Sequence, residues 1–556
     1  MDKLVDVLII GSGIAGQRAA LEAILHSDKV TILSKLPVMD SHSIAATGGI
    51  NSAFSTTDSN FDHFADTIKG SDYLADQDAV HKLVDGSNDE IFFLEQIGVN
   101  FDKNDDLFVS AKLGGAKFAR SLNSSKEIGL VIMNKLSKAI DNSNVSVLEN
   151  WQVLDLIVKD NRCFGVIALN TNTFELCEFR SHATILATGP AGFLYRNTTN
   201  SNVCTGDGFA FAYRAGALLK DMEFIQFHPT SILGSNVLVT ERSRSVGAKL
   251  FNNRGERFMK KYAPDNFELA PRDIVTRSIL NEINNGFGFY DNQYGDYVEL
   301  SFLDIDTDVI DEKLSDVKKL ALSSSNIDIC NSPLKVIPAQ HYMMGGIMIN
   351  IDCQTSIDGL YAAGECSCSS VHGANRLGGN SLIECLVFGK IAGNRASNYN
   401  ATNNSFIFDM FSSYSLLVKN LLESNKSPNI DSISNKLRTL MTSNVGICRD
   451  EQSLNEAINT IQSLKHKFDD SSIYKISNID ICNYFELLNM LDISEIIAVS
   501  SLTREESRGS HYRLDFPLRD DDRWLKHILI NKSINGPNIS IEKVVINDLE
   551  PASRKY

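Results

Sequence analysis

No stretch of the chain approaches the roughly 18 to 20 consecutive apolar residues of a membrane-spanning helix, and no long run of Lys and Arg occurs. The first absence removes an integral membrane protein from the expectation. The second bears on partners, because a protein that tracks a phosphate backbone needs a basic stripe. With a net charge of −16 the chain offers none, so nucleic acid is not an expected partner. An anionic small molecule would instead need a basic pocket inside an acidic exterior. Ten cysteines are present, yet they form no C-x-x-C pair, and Cys366 and Cys368 are the one close pair. Zinc ribbons and cysteine-ligated iron–sulfur clusters therefore lack their ligand spacing, and no metal site is expected. Buried free thiols in a reducing compartment are the simpler expectation, with a metal or redox role for the close pair as the alternative. The N-terminus shows no basic region leading into a small-residue cleavage site, so a cytoplasmic protein is expected. No internal repeat is visible.

What is present is an ordinary globular composition, 43% hydrophobic and 22% charged over 556 residues. That length predicts roughly three to four domain-sized units. Residues 5–10 read as a buried strand, 11–16 as a glycine turn, 17–26 as a helix and 29–34 as a second strand. Two further short buried strands are expected within 183–189 and 359–365. A nucleotide domain visited that late must be discontinuous, which makes the stretch from about 232 to 338 an expected insertion. A polar linker is expected at 398–405, then a mostly helical region in which 457–468 and 484–500 carry the clearest amphipathic pattern.

Gly11, Gly13 and Gly16 fall directly after the first strand and open a helix. In dinucleotide-binding turns the first glycine makes the tight bend, the second admits a pyrophosphate and the third lets the helix pack closely. The helix N-terminus then faces the phosphates. Structural turns produce the same spacing, but the strand–turn–helix context favours a nucleotide. The second strand ends in Ser34 and Lys35, not in the acidic residue that commonly holds a ribose 2′-hydroxyl. This departs from the nicotinamide fingerprint and leaves FAD open. His42, shortly before Gly48 and Gly49, reads in isolation more readily as a turn-capping histidine than as a cofactor ligand.

Longer motifs carry more. SHSIAATGG, KGSDYLADQDAV, ATGPAGFLY, TGDGFAFAYRAGA, DMEFIQFHPT, TERSR, GERFM, ELAPRDIVTRSI, PAQHYMMGGI, GLYAAGE, SVHGANRLGGNSLIECLVFGK and REESRGSHYRLD follow one another from residue 41 to 515. In this order the chain resembles the flavoprotein subunit of succinate dehydrogenase and fumarate reductase, a family that also includes L-aspartate oxidase. The resemblance implies an α/β fold with a discontinuous, Rossmann-like FAD-binding domain in 1–231 and 339–398. It further implies an inserted capping domain at 232–338, a helical domain at 399–515 and a C-terminal segment at 516–556.

The resemblance also implies roles. Gly11, Ser12, Gly13, Ala15, Gly16, Ser34, Lys35, Ser41, His42, Ser43, Thr47, Gly48, Gly49, Ala187, Thr188, Gly189, Asp207, Glu365, Arg376, Ser381 and Leu382 match positions at or beside the FAD. His42 matches the histidine that attaches covalently to the flavin, a bond that raises its potential. His228 and Thr240 match one carboxylate subsite, His341 and Arg376 the other. Taken singly, a His before Pro is often a loop hydrogen bond and Arg376 could be a structural ion pair. Arg272 matches the catalytic proton donor, with Glu241 and Arg244 as its relay to solvent. The implied reaction is succinate/fumarate interconversion by hydride transfer. Its electrons would pass through a separate iron–sulfur subunit and membrane anchor subunits to quinone, placing this chain at the inner face of the cytoplasmic membrane. Departures from the family pattern occur at Asp40, Thr47, Pro190, Ser245 and Val246. Two rivals are L-aspartate oxidase with noncovalent FAD, which lacks the His42 counterpart, and an inactive flavoprotein scaffold, which the intact site set opposes.

Overall fold

Val7, Leu8 and Ile9 are all inaccessible to solvent, as a strand covered on both faces of its sheet requires, and this is why the segment reads as an unbroken apolar run. The computed structural model describes residues 3–124, 127–400, 410–423, 430–470, 480–534 and 536–552. In it the strand Lys3–Ile10 lies between Val30–Leu33 and Leu176–Leu186, parallel to both. Ser146–Leu148 adds beyond Val30–Leu33, and Leu360–Ala362 pairs in parallel with Leu176–Leu186. Two antiparallel strands, Trp151–Lys159 and Arg162–Asn170, complete the sheet. The fold is α/β.

The first helix is Ile14–Ala23, three residues earlier at each end than the 17–26 read from the pattern. The glycine motif itself supplies the first helical turn, with Gly13 as its extended N-terminal cap. Gly11, at φ +110, has no room for a side chain, because a Cβ would stand 2.2 Å from the Ala187 carbonyl oxygen.

From the first sheet the chain enters a second one through Ile225–Ile232, which pairs antiparallel with Leu334–Met343. Gly295–Ser301 and Lys249–Phe251 extend it. A separate apolar core containing Leu250, Val275, Ile279, Val298, Leu300 and Val336 packs against this sheet. The helices Met410–Glu423, Ile430–Asn444, Glu451–Asp470 and Asp480–Thr503 join the main core instead, through residues such as Leu437, Ile461 and Leu491. The stretch 484–500, expected to be amphipathic, is buried on nearly every side, because its helix runs through the interior. Most of the linker expected at 398–405 lies outside the described residues. The C-terminal hairpin Lys526–Ser533 and Gly536–Lys543 returns to pair with Leu219–Lys220, extending the sheet that also holds Gly346–Met348 and Ser367–Cys368. Among the described residues no helix is long and apolar enough to cross a membrane.

Candidate active site

Because strands 3–10, 30–33, 176–186 and 360–362 run parallel, their carboxyl ends open on one edge of the sheet. Gly11–Gly16, Ser34 with Lys35, Ala187–Gly189 and Glu365 follow those ends directly, at the crevice where α/β sheets bind ligands. The Ser12 and Ser34 hydroxyls lie 2.7 Å apart, and the Ser43 hydroxyl accepts from the Ile14 N–H at 3.2 Å, which ties the His42 turn to the start of the helix carrying Ala15 and Gly16. A Cβ on Gly48 or Gly189 would meet nothing within 4 Å, so the backbone there borders open space. Gly49, at φ +81, follows Thr47 and Gly48 in a turn held by the Ser121 hydroxyl, which donates to the Gly48 carbonyl. Ser381 and Leu382 sit in the first turn of the helix Asn380–Ser397, whose free N–H groups favour an electron-rich partner. Lys35 is engaged by the protein itself, paired with Asp207 and with Glu486 from the helical region. Thr188 packs against the helix start at Gly208, next to Asp207. These residues fit a dinucleotide: a glycine-lined cradle for phosphates between two helix N-termini.

Three groups around this cradle have displaced pKa values. Burial lowers His42 to about 4, so its imidazole is neutral near pH 7, and Nε2 faces the Asn200 amide nitrogen at 3.0 Å. Burial raises Glu365 to about 8, against a hydrogen bond from the Met343 N–H that favours its charged form. Burial, reinforced by Arg272, brings Arg376 down to about 10. Ser41 lies beside Met133 on the approach to His42.

The substrate candidates meet where the two sheets join. His228 and Gln226 lie on a strand with two irregularities in register, one on each side of His228. Such bulges re-aim side chains, and Pro229, which has no N–H to donate, sits within the second. The His228 and His341 rings stand edge to face, 5.3 Å between centroids. Burial holds both far below the usual histidine range; Arg272 reinforces this in each, aided by Arg244 at His228 and by Arg376 at His341. Both rings are therefore neutral. Thr199 fixes His341 by a 2.9 Å contact to Nδ1. Arg272, first residue of the helix Arg272–Glu282, donates from Nε to Glu241 Oε2 and from Nη1 to Gln226 Oε1, each at 3.1 Å. Arg376 donates to the same Gln226 oxygen at 3.4 Å and lies over the Tyr342 ring at 4.2 Å. Burial alone would raise Glu241, but Arg272 and Arg244 override it and keep its carboxyl below the ordinary value. Arg244 gives one hydrogen bond to the Glu268 carbonyl at 2.6 Å.

Among the described residues, Thr240 Oγ, Arg244 Nε and Nη2, and Arg376 Nε are buried without a hydrogen-bond partner. Three guanidinium groups crowd together here; Glu241 holds Arg272, with Glu268 also near Arg244 and Glu365 and Glu384 near Arg376, so the cluster combines like-charge repulsion with spare donors in a buried place. Such groups are costly to leave unpaired. A ligand with several anionic oxygens answers both deficits. Gln226, Asn200, Thr199 and Tyr342 were not singled out as site residues; Gln226 and Tyr342 lie inside matched motifs, whereas nothing marks Thr199 and Asn200 before the fold brings them in. Of the departures, Asp40 is exposed in a short helical turn, Ser245 bonds back to the Arg242 carbonyl, Val246 packs against the second core and Pro190 is buried.

Residues 6–382 match the FAD binding domain family, and residues 434–556 match the family described as fumarate reductase flavoprotein C-term. An uncharacterised FAD-dependent oxidoreductase of Methanocaldococcus jannaschii is 39% identical, covering 94% of this chain and 96% of that protein. The fumarate reductase flavoprotein subunit of Mycobacterium tuberculosis is 36% identical over 99% of each chain. In structure, a chain of E. coli quinol fumarate reductase superposes with a TM-score of 0.94 at 32% identity, covering 100% of this chain and 99% of that one.

Proposed function

The chain belongs to the fumarate reductase and succinate dehydrogenase flavoprotein family and is an FAD-dependent oxidoreductase, and on that premise we propose that its site interconverts fumarate and succinate as follows. One carboxylate of the substrate pairs with His228 and Thr240, and the other with His341 and Arg376, while Arg244 belongs to the proton relay. The observation that carries this reading is the set of buried, unpartnered donors on Thr240, Arg244 and Arg376, where three arginines crowd together. The glycine cradle would hold FAD, which would supply or accept the hydride when bound. Arg272 protonates the carbon next to the one that receives the hydride, and Glu241 returns a proton to the guanidine. An arginine acid is unusual, since the free guanidinium holds its proton. Here Arg376 and Arg244 crowd it with like charge, and the proton leaves only as negative charge develops on carbon.

His42 is read as the covalent attachment point, supported by a neutral imidazole at the edge of the cradle. The electrons pass to an iron–sulfur subunit and, through membrane anchor subunits, to quinone, which holds the chain at the inner face of the cytoplasmic membrane. That relatives are named as subunits supports this arrangement. The test is direct: flavin-loaded protein should reduce fumarate with reduced methyl viologen and oxidise succinate with an artificial acceptor. Failure of both reactions at full flavin occupancy overturns the reading.

A further inference from the structure

Glu241 is held from two sides. Its Oε2 accepts from Arg272 Nε, and its Oε1 accepts from the backbone N–H of Gly114 at 2.9 Å. The donors come from distant parts of the chain. Arg272 opens a helix of the inserted segment, whereas Gly114 lies on the loop joining the paired strands Ser110–Ala111 and Ser121–Leu122. The second of these strands also pairs with Ile50–Asn51, directly after the Gly48–Gly49 turn. Gly114 leaves no room for a side chain, because a Cβ would stand 2.2 Å from Glu241 Oε1. Leu113 of the same loop and the Arg272 guanidinium both border Gly378: Leu113 Cδ1 and Arg272 Nη2 would each lie 3.5 Å from a Cβ placed there.

We propose that Gly114 is a positioning residue of the proton relay: its N–H and its missing side chain hold the Glu241 carboxylate against Arg272, and its loop latches the inserted segment to the flavin-binding part. The inference rests on the reading that Glu241 reprotonates Arg272. In that step the Arg272 guanidinium gives its proton to carbon as the hydride arrives at the neighbouring carbon. Once the guanidine is neutral, the Glu241 carboxylate takes up a proton from Arg244 or from water and passes it to Arg272, ending as carboxylate again. A displaced carboxylate breaks the contact on which this transfer depends.

Gly114→Ala is a clean probe, since the new methyl meets the flexible end of Glu241, which can swing aside. Turnover of fumarate should fall about a hundredfold, the scale of an ångström misplacement, with KM and malonate affinity changed by less than about twofold. In a Glu241→Gln background the same change should lower kcat by less than about twofold, because residues acting through one another do not add. Wild-type turnover in Gly114→Ala, or an equal fall in both backgrounds, overturns the proposal. Wild-type turnover in Glu241→Gln would instead sink the relay and this inference with it, so the two failures are told apart.

Discussion

Arg272 spends two of its donors on Glu241 and Gln226, and its planar fork is what lets one side chain do both. Arg272→Lys keeps the charge but loses that fork. Fumarate turnover should collapse by several orders of magnitude while malonate affinity falls only modestly, marking an interaction of the transition state. Near-normal kcat at saturating fumarate would show that Arg272 is a carboxylate clamp. Arg376→Ala or His341→Ala should act in the opposite sense, weakening malonate by roughly 2 to 5 kcal/mol with smaller loss in the chemical step. His42 permits a pH test. Attachment needs a neutral imidazole, and burial holds this one neutral down to about 4. Covalent incorporation of FAD into apoprotein, read as fluorescence on a denaturing gel, should be flat across neutral pH and fall only towards pH 4. A fall centred near 6.5, the value of a solvated histidine, would place His42 in water. His42→Ser should bind FAD without attaching it, and succinate oxidation should suffer more than fumarate reduction because the flavin potential drops.

At the scale of elements, the C-terminal hairpin is tied down by a buried histidine in addition to its strand pairing and the Lys220–Glu542 ion pair. His527 Nδ1 lies 2.6 Å from Asp221 and Nε2 3.1 Å from Asp76, whose other oxygen takes Lys220. Burial alone would lower its pKa, but the two carboxylates raise it to about 9. A pKa raised in the folded state contributes stability that is complete below the unfolded value of about 6.5 and is lost as pH climbs through about 9. The loss should be on the order of 3 kcal/mol between those limits. Urea midpoints measured across this window should decline for the wild type and stay flatter for His527→Asn. Equal slopes for both would mean that the hairpin does not hold the charged ring. The strand 225–232 makes a different point: its bulges around His228 exchange regular pairing for the aim of a site residue.

Over the whole molecule, buried charge joins regions that are far apart in sequence. Arg504, at the end of the helix 480–503, pairs with Glu223, just before the strand 225–232, and with Glu506, which in turn holds Arg508. All four side chains are fully buried. Glu506→Gln removes the carboxylate that two guanidinium groups share; Arg504 keeps Glu223 and Arg508 keeps Asp521, so the lost charged hydrogen bonds should cost about 1.5 to 3 kcal/mol in chemical denaturation. Salt should restore little of it, because buried pairs are weakly screened. A change under about 1 kcal/mol, the size of an exposed pair, would show water in the network.

Periodicity and glycine spacing were enough to read the first strand, the nucleotide turn and the discontinuity of the chain, because each follows from local backbone geometry and burial. Helix boundaries were less legible, since a glycine turn that is itself helical looks like a loop. The amphipathic reading of 484–500 gave way because burial on all sides is decided by neighbours, not by the segment. Motif order marked His228, Thr240, Arg272, His341 and Arg376 as one site, and each is a residue type that a carboxylate needs. What no linear pattern contains is how their charges and donors are disposed. That both histidines are neutral, that Gln226 bridges two arginines, that Asn200 faces His42 and that Gly114 meets Glu241 depend on segments 46 to 158 residues apart being packed together away from solvent. Desolvation and contact across such distances are properties of the closed molecule, so only the tertiary structure could decide them.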